Sequence, residues 1–217
     1  VSELFDEVDE EVRREQLKKL WDKYSIYIIA LMVVVVAGVG GWRGYQYLEA
    51  KKAAEAGAAF DKAIELSEQD KHAEAEAAFT ELAARAPSGY RTLARLRAAG
   101  AAASRDPKAA AKMYDDIAAD RSVGAEQREL AKLRAAGLLL DSAGYADMLQ
   151  RLEPSTTAGA TFRHSAREML ALSAWRNGDA TAARKWLDAI AEDGETPPGL
   201  RSRAEALQAL LPPVAKS

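Results

Sequence analysis

The chain has no cysteine and only two histidines among its 217 residues. The first absence excludes disulfides, thiolate metal sites and a cysteine nucleophile. His72 and His164 lie far apart, and neither has acidic partners at ligand spacing, so neither a metal nor any other cofactor is expected. There is no glycine-rich phosphate loop and no H-E-x-x-H motif. His164 stands beside Ser165, but adjacent residues on a helix face different ways, and no third member of a triad is identifiable. A basic surplus is missing as well. Lys and Arg number 30 against 33 Asp and Glu, a net charge of −3, and beyond residue 53 the two signs are interspersed. Neutralising phosphates takes a concentrated excess of Lys and Arg, so no nucleic-acid partner is expected.

One stretch lacks charge of either sign. Tyr24 to Trp42, "YSIYIIALMVVVVAGVGGW", holds nineteen residues without a charge in a chain that is 29% charged. As a helix it extends roughly 28 Å, close to the hydrocarbon thickness of a bilayer. Ile26, Ile28, Ile29, Leu31, Met32 and Val33 to Val36 cover every face, where a soluble core helix keeps one polar side. Lys23 and Arg43 bracket the run, and Tyr24 and Tyr27 at one end face Trp42, Tyr45 and Tyr47 at the other, in the manner of interfacial belts. The competing reading is a cleaved signal, with Gly38-Val39-Gly40 as its small-residue site. It fits less well, because 23 acid-rich residues precede the run where a signal has a short basic segment. The run is therefore expected to be a membrane anchor in lipid.

The flanks set an expected orientation. Arg13, Arg14, Lys18, Lys19 and Lys23 precede the span, while Arg43, Lys51 and Lys52 follow it. The positive-inside rule then places the N-terminal side in the cytoplasm and the C-terminal part outside it. Within the span Ala37, Gly41 and Gly44 share a face, and Gly40 and Gly44 form a GxxxG. This stripe either docks a partner helix or reflects the ordinary abundance of small residues in spans. In the preceding lead, Leu4, Phe5, Val8 and Val12, then Leu17, Leu20, Trp21 and Tyr24, recur at helical spacing. Acids at its start and bases at its end follow the helix dipole. Such an amphipathic lead suits a membrane surface, another protein's cytoplasmic face, or simple orientation of the anchor.

Beyond the span, strand signals are few and Ala, Leu, Glu, Arg and Lys abound, which predicts an all-α chain. Breakers such as Asp106-Pro107, Asn177-Gly178-Asp179 and Pro197-Pro198 cut it into helical hairpins. The hairpins repeat. Ala75 precedes Phe79, Ala110 precedes Tyr114 and Ala182 precedes Trp186, each by four residues, and the aromatics are 35 and then 72 residues apart. Leu149 falls on the missing beat. This small-then-large pattern resembles the tetratricopeptide repeat, in which Ala permits close helix approach and the aromatic fills the space against the next hairpin. Ala63 and Ala98 match the small position of the first helix, and Pro87 the closing proline. Ala59 stands where the first helix would carry an aromatic, and the third repeat, about 124 to 152, reads as degenerate. Phe162, Trp175 and Trp186 are expected in the core. Arg91 with Arg95, or Arg128 with Lys132, are candidates for a concave binding surface or for an ordinary solvated face. The expected plan is a lead over 1–23, a transmembrane helix over 24–44, a degenerate tetratricopeptide-like superhelix over 45–211 and a tail over 212–217.

The order of these parts, the "GWR" exit at Gly41-Trp42-Arg43, "YRTLARLRAA" (Tyr90 to Ala99) and "SAWRNGDATAARKWLDAI" (Ser173 to Ile190) together resemble the ancillary subunit family of the SecYEG translocon. The "VRREQLKKLWDKY" lead is similar to that of its alphaproteobacterial members. The resemblance implies a non-enzymatic inner-membrane scaffold with a periplasmic domain. It would associate with the translocon and with a membrane-anchored periplasmic chaperone of the peptidyl-prolyl isomerase class, and assist exported proteins. It carries no active site over to this chain. The alternative expectation is an anchored tetratricopeptide scaffold of another envelope assembly, such as one handling outer-membrane lipoproteins or cell-wall synthesis.

Overall fold

The computed structural model describes the backbone of residues 2–213 and the side chains of residue 14 and residues 17–213. Among the described residues there are nine α-helices and one 3-10 turn, with no strand. Helix α1 (Ser2–Glu68) runs unbroken through the stretches that the sequence separates into lead, span and first repeat helix. It is followed by α2 (His72–Arg85), α3 (Ser88–Ala102), α4 (Pro107–Ala119), α5 (Ala125–Leu139), α6 (Tyr145–Leu152), α7 (Arg163–Arg176), α8 (Ala180–Ala191) and α9 (Pro198–Ala209). The chain divides into two compact units, residues 1–54 and 55–217.

In the first unit the apolar run finds nothing to bury against. Every large hydrophobic from Leu17 to Leu48 is exposed, including Ile26, Val34 and Trp42. A helix that is apolar on all sides and exposed on all sides is stable only in a non-aqueous solvent. It is the one helix among the described residues long and apolar enough to cross a bilayer, with a mean hydropathy of 2.2 over its most apolar window. Leu20 and Trp21 of the lead are exposed, and Leu4, Phe5, Val8 and Val12 lie outside the described side chains.

The second unit is a run of helical hairpins whose ends are written in local chemistry. Asp106 caps α4, accepting from the backbone N–H groups of Lys108 at 3.1 Å and Ala109 at 3.0 Å, with Pro107 at the position where its missing N–H costs nothing. Gly178 turns the chain at φ 77°, and Asp179 then caps α8 through the N–H of Ala182 at 2.9 Å. Three apolar clusters follow in chain order. The end of α1 packs with α2 and α3 around Phe79, Leu82 and Ala98. Next, α3, α4 and α5 enclose Tyr114, Ile117 and Ala131. Finally, α5 to α9 enclose Met148, Leu170, Trp186, Leu187 and Ile190.

The second-helix residues of the small-then-large pattern lie as follows. Ala75, Phe79, Ala110, Tyr114 and Trp186 are buried, whereas Ala182 is only partly so. In α8 the fully buried stripe is Ala183, Trp186, Leu187 and Ile190, at helical spacing of three and four, and Ala182 packs half-buried at the edge of the same cluster. In α6 the buried pair is Met148 and Leu152, and Leu149, on the beat, is half-buried and packs against the same cluster. The aromatic of the first repeat helix is present after all, one residue beyond Ala59. Phe60 meets Phe79 edge-on with centroids 5.3 Å apart and Tyr90 at 6.1 Å. Gly57 makes room for Tyr90, since a Cβ there would sit 3.0 Å from its hydroxyl.

The third repeat is degenerate in its second helix, since α6 has only eight residues and packs on α5 far less than α4 does, but its first helix repeats that of the second hairpin. Leu93 to Gly100, "LARLRAAG", and Leu130 to Gly137, "LAKLRAAG", differ only at Arg95 and Lys132 and lie 37 residues apart. Trp175 is 41% exposed. The buried side of α7 centres on Ala166, Leu170, Ser173 and Ala174, and Trp175, a step of about 100° past Ala174, falls outside it.

Leu170 is fully buried and Leu210 is 66% exposed. Leu170→Ala is expected to cost about 3 kcal/mol, and Leu210→Ala less than about 0.5 kcal/mol. Thermal unfolding of the full chain in neutral detergent, followed by circular dichroism, measures the difference.

Candidate functional site

Helices α3 and α5 repeat more than their packing residues. Arg95 and Lys132 occupy equivalent positions, and both are engaged internally. Arg95 donates to the Asp120 carboxylate at 2.6 Å, and Lys132 to that of Glu129 at 2.6 Å. Hydrogen bonds from Ser122 and Arg95 pull the Asp120 pKa down to about 2. Arg91 donates to the Ala86 carbonyl at 3.3 Å, and the Nε of Arg128 is buried. The cations singled out by spacing alone, Arg91 with Arg95 and Arg128 with Lys132, therefore do not form a free basic face: three have internal partners and the fourth is half-buried.

Two residues further along each helix stand Arg97 and Arg134, again equivalent. Both are exposed, and neither makes a hydrogen bond or ion pair among the described residues. They flank a groove of about 340 Å³. Its walls are Leu93 and Leu96 of α3 and Leu130 of α5, and its floor is Tyr114 of α4. Leu93 is 49% exposed. The Tyr114 hydroxyl donates to the Leu96 carbonyl at 3.2 Å, and burial pushes its pKa up against the opposing pull of Arg134 and Arg97. Gly100 keeps the rim open, because a Cβ there would lie 3.3 Å from that hydroxyl. Among the described residues no acidic side chain lines this groove. Nothing in the sequence distinguishes Arg97 from Arg95, but the LA(R/K)LRAAG self-match would have located the paired surface.

A larger groove of about 670 Å³ lies among α4, α5 and α6. Two bases and two acids line it: Arg151 pairs with Asp115, Lys132 pairs with Glu129 beside the lining, and Asp147 is the second lining acid. It presents no surplus of either sign to a ligand.

The densest polar cluster joins α7 to the turn after α8. Asp193 accepts from Arg163 Nε and from Arg167 Nη1, each at 2.8 Å, and from the backbone N–H of Glu195 at 3.1 Å. Arg163 also pairs with Glu195. Arg167 reaches the carbonyls of Thr156 and Ala189 at 3.0 Å, fastening the 3-10 turn (Glu153–Thr156) and the end of α8 to α7. The Arg163 hydrogen bond, against the cost of burial, holds the Asp193 carboxyl far below the usual range. His164 meets Thr196 Oγ1 through Nδ1 at 3.2 Å, and that hydroxyl donates to the Ile190 carbonyl at 2.8 Å. The imidazole proton therefore sits on Nδ1, while burial and Arg163 lower its pKa. These groups clasp loops together. Among the described residues no three His, Asp or Glu side chains converge as metal ligands.

The anchor residues lie on the first unit. Ala37, Gly40, Gly41, Trp42, Arg43 and Gly44 are exposed on α1, and a Cβ added at Gly40, Gly41 or Gly44 would meet no atom within 4 Å. Trp42 and Tyr45 adjoin on the same side with ring centroids 6.3 Å apart.

Comparison with known families assigns the architecture. A model of the tetratricopeptide repeat-like domain matches residues 18–195, and the chain belongs to that family. The match takes in the apolar run of α1 together with the hairpins. A search of curated proteins and a search of solved structures each return no match.

Because the Asp193 carboxyl is depressed in the folded chain, its stabilisation is complete above the unfolded value of about 3.9. It is lost as pH falls below that value, where the unfolded state takes up the proton first. Asp193→Asn is expected to lower Tm by several degrees at neutral pH, with the gap to the parent chain narrowing toward pH 3. Tm against pH for both chains reads this directly, and a constant gap would refute it.

Proposed function

We propose that this chain is a non-enzymatic, protein-binding scaffold held in the bacterial inner membrane by α1, with a cytoplasmic N-terminus and a periplasmic repeat domain. Its work is to assist the SecYEG translocon and a membrane-anchored periplasmic chaperone with exported proteins. The observation that carries the scaffold part is the family match over residues 18–195, because stacked helical hairpins present side-chain surface to partners and need no reacting groups. The exposed apolar run of α1 supports anchoring. The excess of Lys and Arg ahead of the span supports the orientation. The translocon and chaperone come from the resemblance carried by Gly41-Trp42-Arg43, Tyr90 to Ala99 and Ser173 to Ile190. The Ala37, Gly41, Gly44 face and the Gly40/Gly44 pair offer the translocon a surface for close helix approach.

Protease added outside spheroplasts should remove a C-terminal epitope and leave a membrane-held N-terminal fragment. Photocrosslinkers at Val33 and Leu48, one turn before and after the small-residue stripe on the same face, should then capture translocon subunits, with Gly40→Leu plus Gly44→Leu reducing the yield severalfold. Full protection from protease would overturn the orientation and the export role together. Accessible repeats crosslinked reproducibly to a different envelope complex would reassign the scaffold to that assembly.

A further inference from the structure

The groove between α3 and α5 has a chemistry that narrows the class of partner, and the inference rests on the scaffold reading above. Its walls are leucine side chains, and among the described residues its only charges are two exposed guanidiniums without a carboxylate. The same helices show what a satisfied cation looks like, since Arg95 and Lys132 each hold an acid at 2.6 Å. Arg97 and Arg134 therefore stand out as the pair left open, repeated on two helices in the same Leu-x-x-x-Arg frame: Leu93 with Arg97, and Leu130 with Arg134. Arginine presents a planar fork that grips a carboxylate through two parallel hydrogen bonds. The apolar walls between the two forks provide the complementary half of a peptide site. A nucleic acid is a poorer fit. Tyr114 is buried at the floor and offers no exposed ring for base stacking, and two cations neutralise little of a phosphate chain.

We propose that this groove binds an acidic, apolar peptide segment of a partner protein. Leucine-sized side chains seat against Leu93, Leu96 and Leu130, and flanking carboxylates bridge to Arg97 and Arg134. The repeated frame suits a segment in which apolar and acidic residues alternate.

The test uses the full chain in nanodiscs of neutral phosphatidylcholine, with fluorescence anisotropy of three short labelled peptides. The peptides alternate leucine with glutamate, leucine with lysine, and serine with glutamate. The leucine–glutamate peptide should bind best, and added salt should weaken it. Arg97→Glu with Arg134→Glu should weaken it by about tenfold or more. Arg121→Glu, at an exposed loop position outside the groove, controls for a charge reversal placed elsewhere and should leave binding unchanged. Leu93→Ser should weaken the same peptide without altering the salt dependence. Both arginines and Leu93 are exposed, so unchanged helical circular dichroism should accompany every variant. No binding, equal binding of the lysine peptide, or indifference to the double reversal would overturn the groove assignment. Such a failure leaves the protease and crosslinking results untouched, so it is distinguishable from failure of the anchored-scaffold reading.

Discussion

Two pairs of adjacent alanines carry the packing of the second unit. Ala98 belongs to the first apolar cluster and Ala99 to the second, while Ala135 belongs to the second and Ala136 to the third. Helices α3 and α5 are therefore each gripped from two sides. A larger side chain at any of these positions would push a neighbouring helix away and open the cluster it faces, because close-packed interiors tolerate added methylenes poorly. The bulk that fills the clusters is supplied instead by the alternate helices, through Phe79, Tyr114, Met148 and Trp186. Small residues on the shared helices and large ones on the others form a single steric arrangement, and the grooves follow from it.

That arrangement also explains where the aromatics put their polar atoms. Tyr114 donates to the Leu96 carbonyl at 3.2 Å, and Trp186 Nε1 donates to the Tyr145 hydroxyl at 2.9 Å. Each bond joins a large residue of one helix to another helix across the contact it fills. Burial of the ring and satisfaction of its polar atom thus occur together, which removes the penalty an unpaired donor would carry.

Much of this was legible in the sequence, and the reasons for the rest are specific. Hairpin ends could be read because Asp106-Pro107 and Gly178-Asp179 act on their own backbone and need no distant partner. The apolar run could be read because its length and uniformity are themselves the signal. The small-then-large pattern of the second helices located Phe79, Tyr114 and Trp186, but it missed the faithful copy of α3 in α5, which sits on first helices. It also missed Phe60, one residue from where an aromatic was sought. The self-match of α3 and α5 could have pointed to the groove, but not to which of its arginines are free. Whether an arginine in α3 is free or engaged depends on where Asp120 lies, and that is settled by a turn 25 residues away. The exposure of Trp175 is a similar case, because tryptophan's size argued for burial while the helix phase set by Leu170, Ser173 and Ala174 decided against it.

The three clusters occur in chain order and each draws on neighbouring helices, so every core can close from a short contiguous stretch of chain. Contacts between near neighbours cost little loop entropy and form quickly. A chain with this organisation can fold vectorially: α1 to α3 can condense before α5 has emerged, and the segment from α7 to α9 can come last without disturbing what precedes it. Damage should be similarly local, with the last cluster loosening by itself when α9 is lost, rather than the whole array failing at once.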